Sequence, residues 1–201
     1  MKKIGITGGV GSGKSKVLEY LAEIEGASIY QADILAHEVQ SPGTECHKKI
    51  WEYFGTDILN MDGTLNRKKL GQIVFSDNEK LLALNAIVHP AVEARILELI
   101  SQEEEKGCEY FVLEAALLHT PFYRNLLDEI WYIHVTEAVR RERLKSSRNY
   151  SDEKITSMIQ SQPSECIFNE ISHRIIENSG DFEWTEKQLD EAIRKIDLGD
   201  R

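Results

Sequence analysis

Eight residues near the start of the chain, Gly8-Gly9-Val10-Gly11-Ser12-Gly13-Lys14-Ser15, fill the pattern G-x-x-x-x-G-K-[ST], and their flanks restrict the fold more than any other feature. Before them, Lys3 to Thr7 is short, β-branched and largely apolar, as a buried parallel strand is. After them, Val17, Leu18, Leu21 and Ile24 recur at the spacing of one apolar helix face, with Gly26 as the stop. Strand, glycine-rich turn and helix in that order wrap backbone N–H groups around an anion and aim the positive end of the helix at it. Gly8, Gly11, Ser12, Gly13 and the backbone of Lys16 are therefore expected to line the phosphate tail of ATP. Lys14 should span its β- and γ-phosphates, and the Ser15 hydroxyl should serve a bridging Mg2+ ion as ligand. A turn that merely starts a helix is the plainer alternative, and the flanking strand and helix argue against it.

Four further segments have strand character: Ala27 to Tyr30, Tyr110 to Leu113, Ile130 to Val135, and Arg174 to Glu177. Helical patterns separate them, which predicts an α/β fold with a doubly wound parallel five-stranded sheet. About eighty residues lie between the second and third strands, too many for one crossover, and Leu81, Leu84, Val88, Val92, Ile96 and Leu99 mark a helical pattern there. The stretch from about 34 to 105 is read as an inserted helical lobe of a single domain spanning 1–201. Pro90 predicts a kink or split at His89, Asn60 to Gly63 predicts a turn, and Glu103 to Glu105 read as a solvated helix end.

Twenty-four Lys plus Arg against thirty-four Asp plus Glu leave a formal charge of −10. The surface as a whole repels nucleic acid and anionic membrane, so neither is an expected partner. No apolar run reaches the length of a membrane span or of a signal-peptide core. Cys46, Cys108 and Cys166 are odd in number and far apart, which fits neither a disulfide framework nor a zinc site and points to a reducing cytoplasm. Nothing in the pattern identifies a protein partner.

In a doubly wound sheet ligands gather at the carboxyl ends of the strands, so the first polar residues beyond them are the candidates. Asp33 either orients the proton of an attacking hydroxyl or caps the helix starting at Ile34. Glu114, closing the run Tyr110-Phe111-Val112-Leu113, either belongs to a magnesium shell or is an ordinary loop acid. Arg140, Arg141, Arg143, Lys145 and Arg148 form a basic segment in an acidic chain, either phosphate clamps or a solvated helix. Helical spacing sets Arg140 and Arg143 on one face and Arg141, Lys145 and Arg148 on another. His89 stands out only through Pro90, and a helix-end position is its plainer role. The Asn-Lys-x-Asp tetrapeptide of Ras-type GTPases does not occur.

The order of these pieces is distinctive: GGVGSGKS, Ala32-Asp33 with Ala36-His37-Glu38-Val39, Asp62-Gly63-Thr64-Leu65 with Arg67, His89-Pro90, Glu114 to Leu118, the basic segment ending at Arg148, Gln162, and Asn178-Ser179-Gly180. Over nearly its whole length the chain resembles the dephospho-CoA kinases. The resemblance implies a sheet of P-loop kinase type, a helical acceptor lobe and a lid at about 137–150. It also implies transfer of the ATP γ-phosphate to the ribose 3′-hydroxyl of dephospho-CoA, the last step of coenzyme A synthesis. Asp33 matches the family's base, Arg143 and Arg148 its lid arginines, and His89 its acceptor-side His-Pro motif. The departures are Gln31 where an acid is frequent, Glu114-Ala115-Ala116-Leu117-Leu118-His119-Thr120 for the usual Asp-x-Pro-Leu-Leu-Phe-Glu, Lys16 for Thr, and an extra residue between Arg143 and Arg148. A P-loop kinase for another small hydroxyl compound and a non-catalytic nucleotide-binding regulator are the alternatives.

Overall fold

A computed structural model describes residues 1–116 and 118–199; Leu117, inside one matched segment, and the last two positions of the expected domain lie outside the described residues. The chain divides into two compact units, one made of Met1–Tyr30 with the chain from Lys106 onward, the other of Gln31–Glu105.

The first unit is built on a parallel sheet whose strands are β1 (Lys2–Thr7), β2 (Ala27–Gln31), β3 (Tyr110–Glu114), β4 (Glu129–His134) and β5 (Arg174–Glu177), in the order β2-β3-β1-β4-β5. β1 is central, with Ile4 level with Val112 of β3 and Ile6 level with Trp131 of β4. All four of these residues are buried, which explains why the strands read as apolar runs and not as alternations. Because the strands run the same way, the loops after β1, β3, β4 and β5 emerge at one edge. Helices α1 (Lys14–Ala22), α6 (Pro121–Leu126), α7 (Glu137–Arg148), α8 (Asp152–Gln160), α9 (Glu165–Ile171) and α10 (Phe182–Leu198) belong to this unit. Val17, Leu18 and Leu21 of α1 and Leu189, Ala192 and Ile196 of α10 pack into the same core.

One boundary differs from expectation. α1 ends at Ala22, well before Gly26, which sits instead at φ 78° in the turn that feeds β2. Its carbonyl accepts from the N–H groups of Glu109 (2.9 Å) and Tyr110 (3.1 Å), so the glycine serves the entry to the sheet and not the helix end.

The second unit holds four helices, α2 (Ala32–Val39), α3 (Glu45–Phe54), α4 (Arg67–Phe75) and α5 (Asn78–Glu105). Thr44 caps α3 by accepting from His47 N, and Asn66 caps α4 by accepting from Lys69 N. The turn at Asn60 to Gly63 is present: Asn60 N donates to Thr64 O at 2.8 Å, and the His47 ring contacts Gly63 O at 2.9 Å. α5 is not split. It runs through Pro90 as one element, so His89 lies inside a helix and not at its end. The helical bond that proline removes is to exposed Ala86, on the solvent side, while Val88, Val92, Ile96, Leu99 and Ile100 bury the opposite stripe and hold the helix together. Leu81, expected on that stripe, is exposed, and Glu103 is buried where a solvated helix end was expected, although Glu104 and Glu105 are exposed. Among the described residues no helix is long and apolar enough to cross a membrane.

Glu129 of β4 is almost wholly buried and accepts from Arg174 Nε and Nη2, each at 2.6 Å, and from the Trp131 indole at 2.6 Å. Removing one partner of such a group strands the others in the core. Glu129→Ala is expected to cost about 3–5 kcal/mol, read as a lower urea midpoint at unchanged slope; a wild-type midpoint refutes this role.

Candidate active site

The end of β3, the helix after β4 and the residue after β5 all reach the loop after β1 at one sheet edge. The loop is tight. Gly13 has φ 84°, and a Cβ on it would lie 2.6 Å from Asn178 Nδ2; a Cβ on Gly8 would lie 2.8 Å from the Ile133 carbonyl. Within the loop, Ser12 N donates to Gly9 O at 3.1 Å, and the Lys16 N–H turns back to Gly13 O at 3.1 Å. The Ser12 Oγ is buried with no hydrogen-bond partner among the described residues. A buried hydroxyl in that state fits a loop shaped around a ligand that accepts or donates there.

Three of the loop's carbonyls are held by side chains. Lys14 Nζ donates to Gly8 O at 2.7 Å and lies 3.6 Å from Glu114 Oε1 at the end of β3, so ammonium and carboxylate share the loop's mouth. Ser15 follows in the first turn of α1 with its side chain exposed. Asn178, just past β5, is buried and donates from Nδ2 to Ser12 O at 2.7 Å; Thr185 fixes its orientation by donating to Oδ1 at 2.9 Å. Arg143, on α7 (Glu137–Arg148), reaches Asn178 O with Nη2 at 2.7 Å and Ser12 O with Nη1 at 3.5 Å. Arg140, on the same face, donates from Nε to Val10 O at 2.9 Å and from Nη2 to Gln162 Oε1 at 2.8 Å.

The other face of α7 turns elsewhere. Arg141 bonds Glu137 and Thr156, Lys145 pairs with Asp152, and exposed Arg148 bonds the Tyr150 phenol, holding its pKa below the usual value with help from Lys154. Beside the loop opens a cleft of about 360 Å³ lined by Gly13, Lys16, Arg143, Asn178 and Phe182, with Lys16 Nζ 3.9 Å above the Phe182 ring.

Asp33 and His89 belong to the second unit. Asp33 stands in the first turn of α2, whose N-cap is Gln31, so it is not the cap of a helix beginning at Ile34. Helix geometry already includes Ala32, and a carboxylate at this point favours the positive end of the helix without capping it. His89 is exposed on α5.

A model of the dephospho-CoA kinase family matches residues 2–183. The chain belongs to this family. Dephospho-CoA kinases from Carboxydothermus hydrogenoformans and Bacillus cereus are 36% and 38% identical to it, over 96% and 98% of this chain and 93% and 98% of their own. The chain is also similar to a solved Thermus thermophilus protein, with a TM-score of 0.80 at 28% identity, covering 96% of this chain and 97% of that one. The parallel sheet and its phosphate loop are those of the P-loop kinases.

In this family member, helical spacing alone placed Arg140 and Arg143 on one face. It carried no sign that both forks close on the loop's backbone. Gln162 and Asn178 entered through their match to the family pattern without a task; the structure shows both bonded to the loop. Lys14→Ala is expected to weaken ATP binding at least tenfold and to lower kcat by about two to three orders of magnitude; wild-type kinetics with unchanged calorimetric affinity would remove Lys14 from the site.

Proposed function

We propose that this chain transfers the γ-phosphoryl group of ATP to the ribose 3′-hydroxyl of dephospho-CoA, giving coenzyme A and ADP. The observation that carries the proposal is a phosphate loop with the Lys14 ammonium at its mouth, in a chain matched to the family from residue 2 to residue 183. The loop backbone receives the triphosphate, and Lys14 neutralises charge between its β- and γ-groups. The cleft beside the loop suits the nucleoside, with the Lys16–Phe182 pair as one wall and Arg143 as another.

Among the described residues no three His, Cys, Asp or Glu side chains could hold a metal ion by themselves. Mg2+ takes one or two protein oxygens and completes its shell with phosphates and water, so Ser15 and Glu114 suffice as protein-side groups. When bound, the ion offsets charge on the transferring group.

Asp33 follows the carboxyl end of β2 by two residues, the end at which open α/β sheets bind ligands. It takes the proton of the attacking 3′-hydroxyl. Residues of about 34–105, His89 among them, form the acceptor lobe, and the segment of about 137–150 acts as a lid that brings Arg148 in and excludes water, a competing acceptor. The reaction belongs to a reducing cytoplasm, where the three free cysteines persist as thiols.

Two measurements test this. With ATP and Mg2+, dephospho-CoA should dominate a panel of hydroxyl acceptors in kcat/KM; a nucleoside, a nucleotide or no acceptor in that place would overturn the substrate assignment. Asp33→Asn should lower kcat by about two to four orders of magnitude with ATP affinity nearly intact. An unchanged kcat would strip Asp33 of the base role.

A further inference from the structure

We propose that Arg140 is a positioning residue of the phosphate cradle, acting on ATP through the Val10 backbone and not through its own charge. The proposal rests on a triphosphate being the loop's ligand, and it goes further by assigning who shapes the loop. Val10 occupies the middle of the loop, and both of its backbone polar groups are satisfied from outside. Its carbonyl accepts from Arg140 Nε at 2.9 Å, and its N–H donates to Gln162 Oε1 at 3.0 Å. Arg140 Nη2 donates to that same Gln162 oxygen at 2.8 Å, closing a ring of three bonds around the backbone of one residue. The guanidinium also lies against Gly9, within 2.5 Å of where a Cβ would stand, so this loop position admits no side chain while the fork is in place.

The donors of Arg140 are engaged by the Val10 carbonyl and the Gln162 side chain. The side chain is half-buried; burial is the main influence on its pKa and draws it below the usual arginine value, while Tyr132, Glu137 and Glu165 act in the opposite sense. What the residue contributes is the fork: a planar pair of donors that fixes Val10 and Gln162 at once, which a flexible ammonium cannot reproduce. Arg140 lies on α7 and Gln162 two residues beyond the end of α8 (Asp152–Gln160), so the segment between them is tied to the loop at both of its roots. A loop held in its ligand-ready shape does not have to be ordered when the phosphates arrive.

The test is calorimetric titration of ATP and of inorganic tripolyphosphate into the wild type, Arg140→Lys, Arg140→Ala, Gln162→Ala and the Arg140→Ala/Gln162→Ala double variant, with steady-state kinetics alongside. Arg140→Lys keeps the charge and loses the fork. It should weaken both ligands about tenfold, as Arg140→Ala does, with KM for ATP rising in step and kcat changing less than about threefold. Gln162→Ala should do the same, and the double variant should lose little beyond the worse single one, because the bonds form one ring. Wild-type affinity in Arg140→Lys, strict additivity of the two losses, or a loss confined to ATP with tripolyphosphate spared would each overturn the proposal. Gln162→Ala leaves Arg140 in place and decides the matter even if an Arg140 variant fails to fold. None of these titrations uses dephospho-CoA, so a wrong acceptor leaves the result standing, and a wild type that binds neither ligand counts against the triphosphate assignment instead.

Discussion

A loop that offers N–H groups to an anion leaves its carbonyls to find other partners, and buried carbonyls need donors. That constraint organises the phosphate-binding unit. The carbonyl of Gly8 is met by Lys14, that of Val10 by Arg140, and that of Ser12 by Asn178 and Arg143. The donors come from three places, α1, α7 and the turn after β5, and each must arrive at the same edge of the sheet. The parallel arrangement ensures it, because α7 follows the carboxyl end of β4 and Asn178 follows that of β5.

The same edge resolves the apparent conflict between an acidic protein and an anionic ligand. The formal charge of −10 is spread over the whole chain, whereas Lys14, Arg140 and Arg143 converge on one loop. Within a few ångströms of a phosphate the local donors dominate, since screening weakens the field of distant carboxylates. Net charge thus governs which polymers and surfaces the protein avoids, and the loop governs what it holds.

Much of this was legible in the residues. The five strands could be located because apolar runs bounded by polar ends have few other uses, and the glycine-rich turn because a lysine and a hydroxyl stand at fixed offsets from the last glycine. The shared face of Arg140 and Arg143 followed from helical period. Other features depended on tertiary contacts that no short-range pattern encodes. The bonds from Arg140 to Val10 and from Asn178 to Ser12 span 130 and 166 positions. The continuity of α5 through Pro90 depended on a buried stripe outweighing one missing bond on the wet side, and the burial of Glu103 on packing within the fold. Asp33 is not a cap because α2 starts two residues earlier than expected, at Ala32, a shift below what sequence spacing resolves.

Arg140 and Gln162 grip the backbone N–H and C=O of one residue, a pair that nineteen of the twenty coded residues possess. The valine side chain at the crown of the loop takes no part in that grip. Substitution there by any residue that retains an amide hydrogen leaves the anchoring intact, whereas proline, which lacks one, would unseat it. In this chain that position is thus constrained at its backbone and left open at its side chain.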